Sequence, residues 1–301
     1  MSLRTACYVT GCGNAFFAQT FMESWRRFTN PRICNAPIFV LDSGVGTNTL
    51  RFYEWLGVHA LCCGSPIRLL VNEYANGSIN KLWNWTVHEA DEAAVDIAIV
   101  CNDDIYFAPG WLEAIMSVFE NNPHVALCGI PAPGAMQDEL KVRERWFMDA
   151  SLFYGEDFDK ITKLHSGMKP KYQGWTSGFL WACRVKPWLQ HAVIPADKWA
   201  WGYAEPSMGL SLYRGGWYTV SVYDPLILHY GGGAYWTVGD GTPARQIHNA
   251  TIRATGGDAN NFAAVYGTSE LQDLHEQWQR EFDKRTDVPK LSSYDRSTHD
   301  S

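Results

Sequence analysis

Two acids stand side by side in IVCNDDIYFAPGWLEAI (residues 99–115), where Asp103 and Asp104 follow an apolar run and precede a stretch reopened by Pro109. Adjacent carboxylates at the end of a buried strand have two uses. They cap a solvated turn, or they offer oxygen ligands to a cation, for which carboxylate and carbonyl oxygens suit Mg2+ or Mn2+. Asp42 closes FVLDSG beside Ser43 and Gly44; it reads as an Asx turn or as a hydrogen-bond acceptor for a ligand. The loop Thr10–Gly11–Cys12–Gly13–Asn14 offers backbone N–H groups in a tight bend. It lacks the Lys-Ser/Thr ending of a phosphate loop, and its glycines do not fit G-x-G-x-x-G, which excludes the ATPase and dinucleotide signatures. Glu205 follows WAWGYA. An acid walled by aromatic rings has a raised pKa and suits proton abstraction from a hydroxyl. The plainer reading is a first-turn helix acid, with Pro206 at the opening position and the dipole in its favour. His229 precedes three glycines in LILHYGGG, and alone it is a core histidine as readily as a ligand.

The elements that must hold these residues follow from periodicity. TACYVT predicts a strand, and Phe17, Phe21, Trp25 and Phe28 recur at helical spacing after it. APIFVLD is a second strand, TLRFYEWLG a second helix closed by Gly57, and HALCC a third strand. Ile79, Leu82, Thr86 and Ala90 mark a helical face. VDIAIVC is the next strand; Leu112, Ile115, Met116 and Phe119 give the helix behind it, and HVALCGI a further strand. This alternation predicts an α/β fold with a mostly parallel sheet covered on both faces. Ligands bind such sheets beyond the carboxyl ends of the strands, and the first loop, Asp42 and Asn102–Asp104 all fall at such ends. The second half reads differently. A helix through DELKVRERWFMDA lies in a polar segment, GWTSGFLWACRV holds a strand, and 206–214 a helix with a Gly-Gly stop. SELQDLHEQWQREFDK is an amphipathic helix with Leu271, Leu274, Trp278 and Phe282 inward, and a polar tail follows Pro289.

The chain has 301 residues, 46% of them hydrophobic and 19% charged, enough for a large packed core. A net charge of −7 argues against a broad phosphate-binding surface. Arg143, Arg145, Lys169 and Lys171 form a local basic groove or a solvated face, and the second reading is preferred. Eight cysteines show no zinc-type spacing and read as buried thiols. No signal-type or membrane-spanning run is present, so a cytoplasmic location is expected.

The order of these pieces resembles the family 2 glycosyltransferases of the GT-A fold, of bacterial or bacteriophage type. CYVTGCGN resembles that family's first strand and loop, FVLDSG the acid that ends the second strand, and INKLWNWTVHEA its Asn-bearing helix. IVCNDDIYFAPGWLEAI resembles its DxD strand, GFLWACRVKPWLQ…WGYAEPSMGLSLYRGGW the segment of its catalytic acid, and LILHYGGG its terminal His loop. The likeness covers roughly residues 5–235. It implies a GT-A-like fold and transfer of a sugar from a nucleotide-diphospho donor, a UDP-sugar, to an acceptor hydroxyl, with inversion. It implies Thr10, Gly11, Asn14, Asp42, Asn84 and Asp103 at the donor, Asp104 and His229 on Mn2+ or Mg2+, Glu205 as base, and Trp175 and Trp201 at the acceptor. The implied division is a nucleotide-sugar half at 1–131, an acceptor half at 132–240, and a helical extension with a mobile tail at 241–301. Two departures stand out: Asn102 occupies the position of the family's first Asp, and Ala204-Glu205 replaces its Glu-Asp pair. A retaining transferase, a nucleotidyltransferase and an inactive sugar- or nucleotide-binding module remain alternatives. The acceptor is a glycan, a protein or a modified DNA base.

Overall fold

The computed structural model describes residues 3–11, 15–42, 47–62, 67–72, 78–130, 167–198, 203–225, 227–229 and 259–292. Its first half alternates strictly: β1 (Thr5–Thr10), α1 (Ala15–Phe28), β2 (Pro37–Asp42), α2 (Thr47–Cys62), β3 (Arg68–Asn72), α3 (Ile79–Glu92) and β4 (Ile97–Asn102). The two-residue β5 (Ile105–Tyr106), α4 (Trp111–Asn121) and β6 (Val125–Gly129) follow. The second half supplies β7 (Lys171–Gln173), β8 (Leu180–Arg184), α5 (Val185–His191), α6 (Ala204–Arg214), β9 (Tyr218–Ser221), β10 (Leu228–His229) and α7 (Leu271–Asp283).

Eight strands form one sheet in the order β3-β2-β1-β4-β8-β6-β9-β7, and β10 pairs separately with β5. β3, β2, β1 and β4 are mutually parallel. β8 runs against its neighbours β4 and β6, and β7 runs against β9. The strict alternation of side chains along a strand divides the core in two. Cys7, Val9, Phe39, Leu41, Ile97, Ile99 and Cys101 pack on one face with the apolar sides of α1, α2 and α4. Tyr8, Ile38, Val40, Ala98 and Val100 pack on the other with α3, α5 and α6. Burial on both faces explains why these strands read as unbroken apolar runs. Helix starts follow local chemistry as well, since the Ser78 hydroxyl accepts the Lys81 N–H at 3.3 Å at the head of α3.

The strand expected in HALCC is a correction. Those residues continue α2 to Cys62, and the strand arrives later as Arg68–Asn72. Gly57 did not end the helix: a glycine in a helix costs only about 1 kcal/mol, and burial of Tyr53 and Leu56 holds the turns around it. RLLVN forms the sheet edge, where its partly polar sequence hid the strand signal. Leu271 is a second correction, being 49% exposed, whereas Leu274 and Trp278 are buried. The tail is tethered as far as residue 292, through Tyr172 Oη donating to Pro289 O at 2.8 Å and Ser292 N–H donating to Asn122 Oδ1 at 3.0 Å. Cys7, Cys34, Cys101, Cys128 and Cys183 are buried free thiols. The helix expected in 138–150 and the basic residues Arg143 and Arg145 lie outside the described residues; Lys169 and Lys171 are exposed. Among the described residues no helix is long and apolar enough to cross a membrane.

Candidate active site

The parallel ladder places the ends of β1 and β4 side by side, with Thr10 opposite Asn102. The Thr10 hydroxyl lies 3.1 Å from Cys101 O and 3.2 Å from Asn102 Oδ1, which locks the two strand ends together. Gly11 leaves β1 with its N–H donated to Val40 O of β2 at 3.2 Å. A side chain at this position would collide with the Tyr53 ring and come within 2.9 Å of Leu41, so only glycine lets the chain pass this close. Asp42 is the last residue of β2, in register with Asn72. Thr10, Gly11, Asp42 and Asn102 therefore share one edge of the sheet. Asn14 lies outside the described residues, as does Trp201.

The two acids divide their roles. Asp103 is 1% exposed and accepts a short 2.5 Å hydrogen bond from the Tyr53 hydroxyl of α2. Asp104 turns the other way. Antiparallel pairing of β10 with β5 sets His229 opposite Ile105 and brings His229 Nε2 to 3.2 Å from Asp104 Oδ1. That is ion-pair distance, yet the angles do not make a hydrogen bond, and both atoms are buried without a hydrogen-bond partner among the described residues. Buried polar atoms are rarely left so. Two neighbouring ligands about 2.1 Å from one octahedral ion sit about 3 Å apart, which is the spacing of this pair. One carboxylate oxygen and one imidazole nitrogen suit Mn2+. Among the described residues no group of three or more His, Cys, Asp or Glu side chains gathers that could hold a metal ion by itself.

His229 is oriented by Phe179, whose ring stacks on the imidazole at 4.4 Å between centroids and 12° between planes. Phe179 O also accepts the Asn102 N–H at 2.9 Å. One residue earlier, Gly178 lies directly beneath the Glu205 carboxyl, with Trp83 closing the other side. Burial raises the Glu205 pKa above the ordinary carboxylate range, partly opposed by a hydrogen bond with its own backbone. Ala204 opens α6 just after Tyr203, which holds a left-handed φ of 61°; Glu205 lies in the first turn, and Pro206 is the third residue of the helix rather than the opening one expected. For a tyrosine that backbone costs on the order of 1–2 kcal/mol, offset by stacking on Phe262 at 4.5 Å. Strain is thus accepted where the acid is aimed.

Two expected residues have structural partners. The Asn84 amide is committed at both ends to the backbone of Ile194, donating to its carbonyl at 2.7 Å and accepting its N–H at 2.9 Å. It clamps α3 to the segment after α5. Trp175 is half-buried, edge-on to His275 of α7 at 5.9 Å, and forms a wall between α6 and α7. Sequence reasoning sets Gly178 on the acceptor side, before a strand, but not beneath Glu205, and it misses Tyr53 and Phe179. Tyr53 carries no signal beyond its helical spacing, and Phe179 is visible only as the head of an apolar strand.

Neither a protein-family model nor a curated protein matches the chain. Solved structures do. GalNAc-T7 with UDP, GalNAc and Mn2+ aligns over 96% of this chain and 59% of its own, at 10% identity and a TM-score of 0.56. A mannosyltransferase from Pyrobaculum calidifontis in complex with GDP-Man and Mn2+ aligns over 94% and 80%, at 12% identity and a TM-score of 0.51. S. aureus TarS (residues 1–349) aligns over 95% and 75%, at 12% identity and a TM-score of 0.50. The fold is that of the GT-A glycosyltransferases. This chain spans less than two thirds of the GalNAc-T7 chain, and the identities carry the likeness no further than the fold.

Proposed function

We propose that the protein is a metal-dependent glycosyltransferase that moves a sugar from a nucleotide-diphospho donor, a UDP-sugar, to an acceptor hydroxyl with inversion at the anomeric carbon. The observation that carries this reading is the buried, unbonded pair of Asp104 and His229 at the carboxyl edge of a GT-A sheet. Solved proteins of this fold hold Mn2+ together with UDP or GDP-Man, and the resemblance of the strand-end motifs points the same way.

Asp104 and His229 would hold the divalent cation, which when bound stabilises the negative charge gathering on the leaving diphosphate. The chain's own residues do the rest. Asp42, at the end of β2, accepts a hydrogen bond from the nucleobase. Thr10 and Gly11 give the ribose and phosphates a close backbone approach, and Asn14 is a further donor-binding residue. Asn102, neutral where an acid would add charge, keeps the pocket less anionic toward the diphosphate. Asp103, whose carboxylate accepts the Tyr53 hydroxyl, adds a further contact on the donor side. On the acceptor side, Glu205 takes the hydroxyl proton as the acceptor oxygen bonds to the anomeric carbon and the nucleoside diphosphate departs. Its raised pKa makes it a better base than an exposed carboxylate. Trp175 and Trp201 offer the acceptor an apolar wall.

The test is calorimetry with UDP, GDP and their sugars, with and without Mn2+, on the native protein and on Asp104→Ala. Binding that depends on Mn2+ and vanishes in the variant is expected; equal binding in both proteins, indifferent to metal, rejects the reading. Release of pyrophosphate instead of nucleoside diphosphate during turnover would assign a nucleotidyltransferase.

A further inference from the structure

Two consecutive residues at the head of β8 touch everything the proposed reaction needs to keep in register. Gly178 carries the Glu205 carboxyl on its open face, where a side chain would come within 3.1 Å of Trp83 and overlap the carboxyl itself. Phe179 carries the His229 imidazole by face-to-face stacking at 4.4 Å and 12°. Its carbonyl also fixes the Asn102 N–H at 2.9 Å, just before the two acids. Phe179 is only 6% exposed, so the ring is anchored. Stacking on the flat face of an imidazole leaves its in-plane nitrogens free and sets their direction. Here it holds Nε2 toward Asp104 Oδ1, 3.2 Å away, with no hydrogen bond to do the aiming. A metal-ligating histidine is usually oriented by a hydrogen bond to its other nitrogen, and among the contacts described for His229 the aromatic stack takes that part.

We infer that Phe179 is the positioning residue of the His229 imidazole, and that the adjoining Gly178 seats the acid that receives the acceptor proton. The inference rests on the proposed reading of Asp104 and His229. The two supports adjoin in the chain but act on different groups, so they are separable by mutation. Loss of the ring at 179 loosens cation binding and spares the setting of Glu205. Crowding at 178 displaces Glu205 and spares the cation.

The experiment follows free Mn2+ by electron paramagnetic resonance during titration of protein with saturating UDP. Phe179→Leu is expected to weaken Mn2+ binding about 10-fold, in line with the loss typical when a residue supporting a metal ligand is removed. Phe179→Tyr, which keeps the stacking face, is expected to restore it to within about 3-fold. Should the leucine variant fail to fold, as judged by its circular dichroism, Phe179→Met replaces it, filling the space without a ring. Gly178→Ala is expected to retain Mn2+ binding while the pH profile of transfer loses its low-pH limb position. Equal Mn2+ binding by the native, leucine and tyrosine proteins overturns the positioning role while leaving the proposed function intact, and so does a tyrosine variant as weak as leucine. A native protein that binds no Mn2+ with UDP or GDP fails at the earlier step and takes this inference with it.

Discussion

The proposed site has two walls, built by different means. The wall proposed to face the donor consists of the ends of adjacent parallel strands, where Thr10, Gly11, Asp42 and Asn102 arrive in register because the ladder of β2, β1 and β4 puts them there. The opposite wall is assembled from the head of β8, the first turn of α6 and the two-residue β10, held by a ring stack, a glycine contact and a strained tyrosine. Backbone hydrogen bonding fixes the first wall many times over, and side-chain packing fixes the second with little redundancy. Positions on the donor wall should therefore tolerate change outside the contact residues themselves, whereas the far wall should be sensitive to residues that touch no ligand.

The largest effect is expected where the walls meet. Asp104→Ala removes one of the two atoms proposed to face the cation, and the loss of several kcal/mol of charge stabilisation lowers transfer by about a thousand-fold. Steady-state kinetics across a Mn2+ series checks this, and a variant that keeps both rate and metal dependence would separate Asp104 from the chemistry.

Glu205→Gln tests the far wall alone. Transfer is expected to fall about 100-fold or more, while calorimetric affinity for UDP and Mn2+ is kept. The same variant should be more heat-stable at neutral pH. Burial raises the Glu205 pKa in the folded state, so the native fold binds that proton more tightly than the unfolded chain does. Its contribution to stability is full below the unfolded carboxylate range and is lost as pH rises through the folded value. The stability gain of the glutamine variant should therefore be absent in acid and appear as pH increases. In the native protein, the proposed transfer should decline on acidification through a value above the ordinary carboxylate pKa. A low-pH limb at or below that ordinary value would take the base role from Glu205.

Tyr53→Phe probes the donor wall from behind. It deprives the buried Asp103 of its phenol partner, at a cost of about 1–3 kcal/mol of stability, readable by urea denaturation. The smallest effect is expected far from both walls. Tyr172→Phe removes the bond to Pro289 O that tethers the chain after α7, and with it the contact to His124 Nε2; it should cost about 1–2 kcal/mol and leave nucleotide binding unchanged. A clear loss of binding would mean that α7 and its tether help shape the crevice through Trp175.

Reading the two walls from sequence succeeds unequally for the same reason. Donor-wall residues sit at the ends of apolar strands, and in a parallel sheet every such end faces one edge, so Asp42 and Asn102–Asp104 were already gathered by the strand–helix alternation. The HALCC stretch shows the limit of that logic: four apolar residues after a histidine, without a clear period, fit a helix or a strand, and packing of Tyr53 and Leu56 decided for the helix. Asn84 shows another. Its place on α3 was legible, but its partner, the backbone of Ile194, belongs to a segment reached only through the fold.

Local periodicity, determined by the sequence itself, set the α/β class, the helical faces of α1, α3 and α4, and the strand-end address of the acids. Tertiary structure alone decided that Asp103 turns to Tyr53 while Asp104 turns to His229, that Phe179 steers the imidazole, and that Glu205 rests on Gly178. Periodicity needs only neighbours a turn or a pleat away. These contacts join residues far apart along the chain, and their partners are chosen by which side chains fill the space once the sheet has closed.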